Sequence, residues 1–154
     1  MKTKRPSVVV LAGGEGNRLA ALTRALYGTD LPKQFAVLDG ERSLLQSTVE
    51  RALAITSEDR ILVVVTAHQE GIARAQLAPY PQVELVIQPR NLDTAPALLL
   101  PVARILARRT DDRVVFLPSD HYVANPLPIE RALDLAAGAG LEDRITLIDR
   151  KSVV

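Results

Sequence analysis

The sequence predicts an α/β protein with a doubly wound, mostly parallel sheet between two layers of helices. Short apolar runs, rich in β-branched residues, alternate with segments of helical spacing along the chain. Aromatic residues make up only 3% and tryptophan is absent, so Val, Leu, Ile and Ala must fill the core. That filling is typical of a parallel sheet covered by helices on both faces. We therefore expect a three-layer sandwich with right-handed crossovers.

The composition limits the classes of function. A chain of 154 residues with 47% hydrophobic and 24% charged residues fits one globular domain. A formal net charge of +1 argues against nucleic acid as the main partner. No apolar run approaches membrane-spanning length, and residues 1–5 lead into a strand, so we expect no membrane partner and a cytoplasmic location. The absence of cysteine excludes disulfides and thiolate chemistry.

The first predicted strand, residues 8–11, passes directly into a glycine-rich turn. Gly13, Gly14 and Gly16 remove the side chains that would keep an anion off the backbone, so several N–H groups can converge on one centre. Arg18 adds a permanent charge and a planar fork of donors suited to phosphate. The turn matches neither the P-loop nor the dinucleotide fingerprint. A phosphate site is predicted, and a purely structural turn is the alternative.

A short helix is predicted over residues 19–26, and a break follows it. Pro32 biases the residue before it toward extended geometry, so Lys33 is expected on an irregular connection after the loop. The alternative for Lys33 is an ordinary solvated lysine. Ser43 is a good N-cap for a helix over residues 44–54.

A second buried strand is predicted over residues 60–65. A helix is expected from there to residue 77, and His68 is interpreted as a loop or cap residue because it has no partner pattern.

The third predicted strand, residues 83–87, ends in a polar segment. Gln88 and Asn91 lie at its carboxyl end, the edge at which open α/β sheets bind ligands. Asp93 or Thr94 can cap the next helix, which has a proline in its first turn. Capping alone could account for Asp93 and Thr94, but it accounts less well for the two amides.

Beyond that helix, which is expected to end at residue 108, the fourth strand covers residues 113–117. Asp120 follows it on the same sheet edge as the glycine turn and is a candidate ligand for a hard divalent cation. A turn or cap carboxylate is the alternative. A last helix is predicted to end at residue 137, and a fifth strand over residues 144–148.

Four stretches in chain order carry a family resemblance. They are Leu-Ala-Gly-Gly-Glu-Gly-Asn-Arg-Leu at 11–19, Pro-Lys-Gln-Phe at 32–35, Gln-Pro-Arg-Asn-Leu-Asp-Thr-Ala-Pro-Ala at 88–97 and Leu-Pro-Ser-Asp-His at 117–121. Together they resemble the sugar-1-phosphate nucleotidyltransferases. The second and third stretches are similar to those of the mannose-1-phosphate guanylyltransferases, also called GDP-mannose pyrophosphorylases.

The resemblance implies a Rossmann-like fold and a role for each matching residue. It implies that Arg18 stabilises the departing pyrophosphate and that Lys33 contacts the phosphate at the reacting centre. Asp120 is implied to bind Mg2+, and Gln88 and Thr94 are candidates for guanine contacts. The nucleotide-binding residues implied by the resemblance are Leu11, Ala12, Gly13, Gly14, Gly16, Gln88, Asn91 and Thr94.

The implied partners are GTP and mannose 1-phosphate. An oxygen of the sugar phosphate attacks the α-phosphorus of the nucleotide and pyrophosphate leaves, so cations are needed to bring two anions together. The retained residue types suit that need. A transferase for glucose 1-phosphate with UTP or dTTP is an alternative, and a nucleotide-sensing module without chemistry is another.

Residues 1–148 are interpreted as the nucleotide-binding half of a nucleotidyltransferase domain. Members of the resembled family continue well beyond this length, with a sugar-binding half and a second metal carboxylate. We therefore expect nucleotide binding without turnover from these residues, and a possible homo-oligomer at full length. Residues 149–154 are what a common sequencing-library adapter encodes, so a non-native tail is expected there.

Overall fold

The computed structural model describes residues 5–16, 19–38, 40–91, 93–108, 113–121, 123, 125, 127–139 and 144–148. Its sheet is built from four strands, β1 (Ser7–Leu11), β2 (Ile61–Thr66), β3 (Glu84–Gln88) and β4 (Val114–Pro118). All the pairings are parallel, and the strand order is β3-β2-β1-β4. The parallel sheet that the composition predicts is confirmed.

Helices connect the strands. They are α1 (Ala20–Tyr27), α2 (Leu44–Ile55), α3 (Glu70–Leu77), α4 (Thr94–Arg108) and α5 (Leu127–Gly138). Single 3-10 turns stand at Lys33–Phe35, Glu58–Arg60 and Ala67–Gln69. Lys33 therefore begins a 3-10 turn, and the helix expected to begin near residue 68 is split into such a turn and α3.

The two faces of the sheet pack against different helices. Because side chains alternate along a strand, Val8 and Val10 of β1 belong to a core shared with α2 and α3. Val9 belongs to a second core on the opposite face, where Ile105 of α4 covers it. All four of these residues are almost completely buried. Helices therefore cover both faces, as the doubly wound fold requires.

Local sequence signals set two helix ends. Ser43 caps α2 in a capping box, in which its hydroxyl accepts from the Gln46 N–H and the Gln46 side chain accepts from the Ser43 N–H. Gly28 ends α1 in the left-handed conformation, which glycine adopts without steric cost. Both helix ends agree with the sequence pattern.

The predicted fifth strand is wrong. Residues 144–148 form no strand in the structure, and Ile145 and Leu147 are exposed. The alternation of apolar residues marks the face that a strand would bury, but a strand also needs a neighbour to pair with. Among the described residues, none pairs with this segment.

The strand order determines where a ligand can enter. From β1 the chain proceeds outward to β2 and β3, and then crosses back to place β4 on the other side of β1. The connections that follow β1 and β4 therefore diverge, and ligands of open α/β sheets bind in the crevice at that point. Among the described residues, no helix has the length and apolarity needed to cross a membrane. The cytoplasmic location stays a prediction.

Candidate active site

A cleft of about 560 Å³ opens over the carboxyl ends of the strands. Four segments of the chain meet there: the turn after β1, the 3-10 turn that begins at Lys33, the segment from β3 into α4, and the turn after β4. The lining residues are Leu11, Gly13, Gly14, Glu15, Gly16, Lys33, Gln34, Gln88, Asn91, Asp93, Thr94, Ala97, Pro118, Ser119 and Asp120.

The glycine turn packs directly on the segment that carries Lys33. Gly16 has a positive φ of 67°, and a Cβ atom built there would lie 2.7 Å from the Lys33 backbone nitrogen and 3.1 Å from Pro32 Cα. Only glycine permits both the conformation and the approach. This contact places the Lys33 side chain at the mouth of the turn, within the same cleft.

Lys33 and Asp120 form an ion pair across the cleft. The Lys33 Nζ atom lies 2.6 Å from Asp120 Oδ2, and His121 Nε2 lies 3.6 Å from the other carboxylate oxygen. Partial burial acts to raise the pKa of Asp120. The hydrogen bond and charge of Lys33, aided by His121 and a backbone hydrogen bond, outweigh it and hold that pKa below its usual range. Asp120 is therefore an anion at neutral pH.

The last residue of β3, Gln88, is 3% exposed and points toward the turn after β1. A Cβ atom built on Gly13 would lie 3.5 Å from its Oε1 atom. Within the described part of the chain, Nε2 has no hydrogen-bond partner. A buried amide donor without a partner is costly, so this atom is suited to an acceptor brought by a ligand.

The start of α4 also faces the cleft. Asn91 Oδ1 accepts a hydrogen bond of 3.1 Å from the Asp93 N–H, and Asp93 has a positive φ of 64°. This side-chain turn leads into the first turn of α4, where Thr94 and Ala97 line the cleft. A helix N-terminus there favours negative charge.

The structure brings most of the predicted site residues together. Ala12 does not line the cleft, because its N–H donates to Val64 O at 2.9 Å and its carbonyl accepts from Gln34. Arg18 lies outside the described residues. The predicted residues that line the cleft are Leu11, Gly13, Gly14, Gly16, Lys33, Gln88, Asn91, Thr94 and Asp120.

Six lining residues were not among the predicted site residues: Glu15, Gln34, Asp93, Ala97, Pro118 and Ser119. The Ser119 hydroxyl and N–H both donate to Leu11 O, at 2.7 and 3.1 Å, and so tie the ends of β1 and β4 together. Ser119 directly follows β4, and this position in the sequence could have identified it as a lining residue. The fixed orientation of Gln34 depends on hydrogen bonds that no local pattern contains.

The donor set fits one metal ion that is held jointly with phosphate. Within the part of the chain that the structure describes, no group of three or more His, Cys, Asp or Glu side chains is gathered to hold a metal ion. Mg2+ in phosphate sites is bound by one or two carboxylates, with substrate phosphates and water completing the shell. Asp120 can supply such a carboxylate.

A crevice at the switch point of a parallel sheet, with a glycine turn, a lysine and an aspartate, is typical of proteins that bind nucleotides. The family model for nucleotidyl transferases matches residues 7–152, and the chain belongs to that family.

Individual relatives are similar over most of this chain. The alginate biosynthesis protein AlgA of Pseudomonas putida is 33% identical over 90% of it, and the mannose-1-phosphate guanylyltransferase of Salmonella montevideo is 32% identical over 75% of it. The crystal structure of mannose-1-phosphate geranyltransferase from Thermus thermophilus has a TM-score of 0.72 and 33% identity, covering 91% of this chain and 38% of that one. The chain spans 28% of AlgA and 23% of the Salmonella protein.

Proposed function

We propose that this chain binds a nucleoside triphosphate as the nucleotide half of a sugar-1-phosphate nucleotidyltransferase, with GTP and mannose 1-phosphate as the substrates. The observation that carries the proposal is the convergence, in one cleft, of the glycine turn, the Lys33 ammonium and the Asp120 carboxylate. Anion-binding backbone, a flexible side-chain cation and a metal carboxylate are what transfer between two phosphates needs.

In the proposed reaction, an oxygen of the sugar 1-phosphate attacks the α-phosphorus. A new P–O bond forms there as the bond to the pyrophosphate oxygen breaks. The turn holds the triphosphate, Lys33 neutralises charge at the reacting phosphorus, and Arg18 is proposed to stabilise the pyrophosphate. No protein nucleophile is needed, because the incoming phosphate is already an anion.

Asp120 is proposed to hold Mg2+ together with the phosphates. A bound Mg2+ would neutralise charge that develops on the phosphate oxygens. Lys33 would then leave Asp120 Oδ2 and turn to the phosphate.

Guanine is the proposed base. The Gln88 amide, unpartnered within the described residues, offers a donor at the turn after β1, and guanine presents O6 and N7 as acceptors to such a donor. Curated relatives from Salmonella montevideo and Vibrio cholerae are named mannose-1-phosphate guanylyltransferases, the latter as putative. UTP or dTTP with glucose 1-phosphate is the competing pair.

Thermal melts of this chain with Mg2+ and, in parallel, GTP, UTP, dTTP or ATP test the base. A ligand that binds only the folded state raises the midpoint, so we expect the largest shift with GTP. A larger shift with UTP or dTTP would replace guanine by that base. A cooperative melt that no nucleotide shifts would contradict the proposal.

For these 154 residues alone we propose nucleotide binding without turnover. The support is the small share of the relatives' length that the chain spans. Formation of GDP-mannose by this chain, measured by chromatography with radiolabelled GTP, would contradict this part and would leave no place for a nucleotide-sensing module without chemistry.

A further inference from the structure

We infer that Gln34 and Gln69 are positioning residues of the phosphate-binding turn. Their amide groups hold the carbonyls of Ala12 and Gly14 against the Gln34 and Gln69 side chains, so that the N–H groups of Gly13 and Glu15 point to the opposite side, toward the proposed phosphate. The inference deepens the proposed function and rests on it for the ligand.

Three hydrogen bonds from the two side-chain amides to the turn form what we call the clamp. Gln34 Nε2 donates to Ala12 O at 2.7 Å and to Gly14 O at 2.6 Å. Gln69 Nε2 donates to the same Gly14 O at 2.9 Å. The two amides reach the turn from segments 20 and 55 residues further along the chain. The Gly14 carbonyl is therefore held by two separate parts of the fold.

Both amides are themselves fixed. Gln34 and Gln69 are 2% and 1% exposed, which removes most of their rotamer freedom. Gln69 Oε1 accepts from the Thr66 N–H at 3.2 Å, at the end of β2, so this side chain joins the sheet to the turn. Gln34 follows Lys33 in the 3-10 turn. The same 3-10 turn therefore carries both the Lys33 ammonium and one of the two clamping amides.

Because of the geometry of the peptide bond, the clamp also sets the direction of backbone N–H groups in the turn. In a trans peptide the carbonyl and the next N–H point to opposite sides, and the described residues contain no cis bond. Carbonyls of Ala12 and Gly14 that point at Gln34 leave the N–H groups of Gly13 and Glu15 pointing the other way. Gly13, Gly14 and Glu15 line the cleft. The N–H groups of Gly13 and Glu15 are thus aimed at the place where phosphate would sit.

Glycine makes such a clamp necessary. A turn with Gly13, Gly14 and Gly16 gains close backbone approach but has little intrinsic preference for one peptide orientation. If a peptide turned over, its carbonyl oxygen would face the phosphate and repel it. Two buried amide donors stabilise the productive orientation before the ligand arrives.

The test compares two probes on matched variants of the full chain. Gln34→Met and Gln69→Met keep the length of each side chain and remove its donors. Gln76→Met is the control. Gln76 Nε2 also donates to a backbone carbonyl, Phe35 O at 2.8 Å, but this carbonyl is not part of the glycine turn at residues 13–16. Tripolyphosphate probes the turn without a base, and guanosine probes the base without phosphate. Affinities are measured by isothermal titration with Mg2+ present.

We expect Gln34→Met and Gln69→Met each to weaken tripolyphosphate binding by about tenfold, with guanosine affinity unchanged and Gln76→Met like the wild type. Gln34→Glu should weaken it further, because a carboxylate repels the two carbonyls. Where Gln34→Met fails to fold, Gln69→Met carries the test. Equal losses for guanosine and tripolyphosphate, or unchanged tripolyphosphate affinity in both Met variants, would overturn the inference.

The proposed function fails separately from the clamp. If the wild type binds tripolyphosphate but no nucleoside triphosphate more tightly than tripolyphosphate, the nucleotide proposal is wrong and the variant comparison still decides the clamp. If the wild type binds neither tripolyphosphate nor any nucleoside triphosphate, both are overturned.

Discussion

Gly14 and Gly16 lie two residues apart in one turn, and glycine is needed at the two positions for different reasons. A Cβ atom on Gly16 would collide with the Lys33 and Pro32 backbone, and φ there is positive. A Cβ atom on Gly14 would meet no protein atom within 4 Å. Gly16 is therefore a requirement of the fold, whereas the demand at Gly14 comes from the ligand that the cleft is proposed to bind.

Replacing these glycines by alanine should separate the two demands. Gly16→Ala is expected to lower the free energy of unfolding by about 2 kcal/mol or more, from the left-handed conformation and the backbone clash. Gly14→Ala should change stability by less than about 0.5 kcal/mol but weaken triphosphate binding by roughly tenfold. Urea unfolding and calorimetric titration measure the two effects. A Gly14→Ala variant with full affinity would show that nothing approaches that backbone.

Lys33 is expected to compete with a metal ion for Asp120. In Lys33→Met the ammonium no longer lies on Asp120 Oδ2, so Mn2+ affinity without nucleotide should rise roughly tenfold. Tripolyphosphate affinity should fall in the same variant. Electron paramagnetic resonance of free Mn2+ measures the first effect.

Two controls accompany that experiment. Asp120→Asn should abolish the Mn2+ site, and Arg42→Met should change nothing, because Arg42 is an exposed cation paired only loosely with Glu50 at 4.0 Å. Unchanged Mn2+ affinity in Lys33→Met would mean that Lys33 does not compete with the metal ion for Asp120.

At the scale of single residues, the sequence indicated the position of residues that come at or directly after the end of a strand. Gln88 and Asp120 could be placed because each comes at or just after the carboxyl end of a parallel strand. Gln34 and Gln69 could not be given their role, since their hydrogen bonds join positions 20 to 55 residues apart. No periodicity or local spacing encodes such a contact.

At the scale of elements, α4 is tied to β3 by one carboxylate. Glu84 accepts from Arg104 at 2.9 Å and from Arg108, both on the last turns of α4. Partial burial acts to raise the pKa of Glu84, but the hydrogen bonds and charges of the two arginines outweigh it and lower that pKa below its ordinary value of 4.5. The pairing holds the helix whose first turn borders the cleft.

Glu84→Gln should therefore destabilise the protein by about 1 kcal/mol at pH 7, discounted for the solvent exposure of both arginines. Because the folded pKa is lowered, this stabilisation is complete above about pH 4.5 and is lost as pH falls through the folded pKa. The gap between wild type and variant, measured by urea unfolding at several pH values, should close in acid. Glu70→Gln, at an exposed pair with Arg74, is the control and should cost less than about 0.5 kcal/mol. A gap that persists unchanged at low pH would contradict the ionic origin.

The elements show what hydrophobic periodicity can predict. Within the described residues, strands β1 to β4 and helices α1 to α5 were predicted to within a few residues, because buried runs and caps are local signals. The segment 144–148 has the same apolar character, yet it forms no strand. The difference lies in pairing, which depends on a neighbouring strand and cannot be found in the segment itself.

At the scale of the whole molecule, β3 and β4 are the edges of the described sheet. An unpaired sheet edge favours association, and so do exposed apolar side chains such as Ile145 and Leu147. We expect weak, concentration-dependent self-association, measured by sedimentation velocity. Ile145→Lys with Leu147→Lys should reduce it, whereas Leu135→Lys on α5, also an exposed leucine, should not. Equal reduction of the association by both variants would indicate non-specific hydrophobic association instead.

The strand order brings four segments that are distant in the sequence to one cleft. Binding of a nucleotide in that cleft is the central claim, and amide NMR of the ¹⁵N-labelled chain with GTP and Mg2+ tests it most directly. The largest shifts are predicted at the N–H groups of Gly13, Gly14, Glu15 and Gly16 and at the Gln88 side-chain amide. Shifts centred on other surfaces, or no shifts at millimolar GTP in a folded chain, would contradict it.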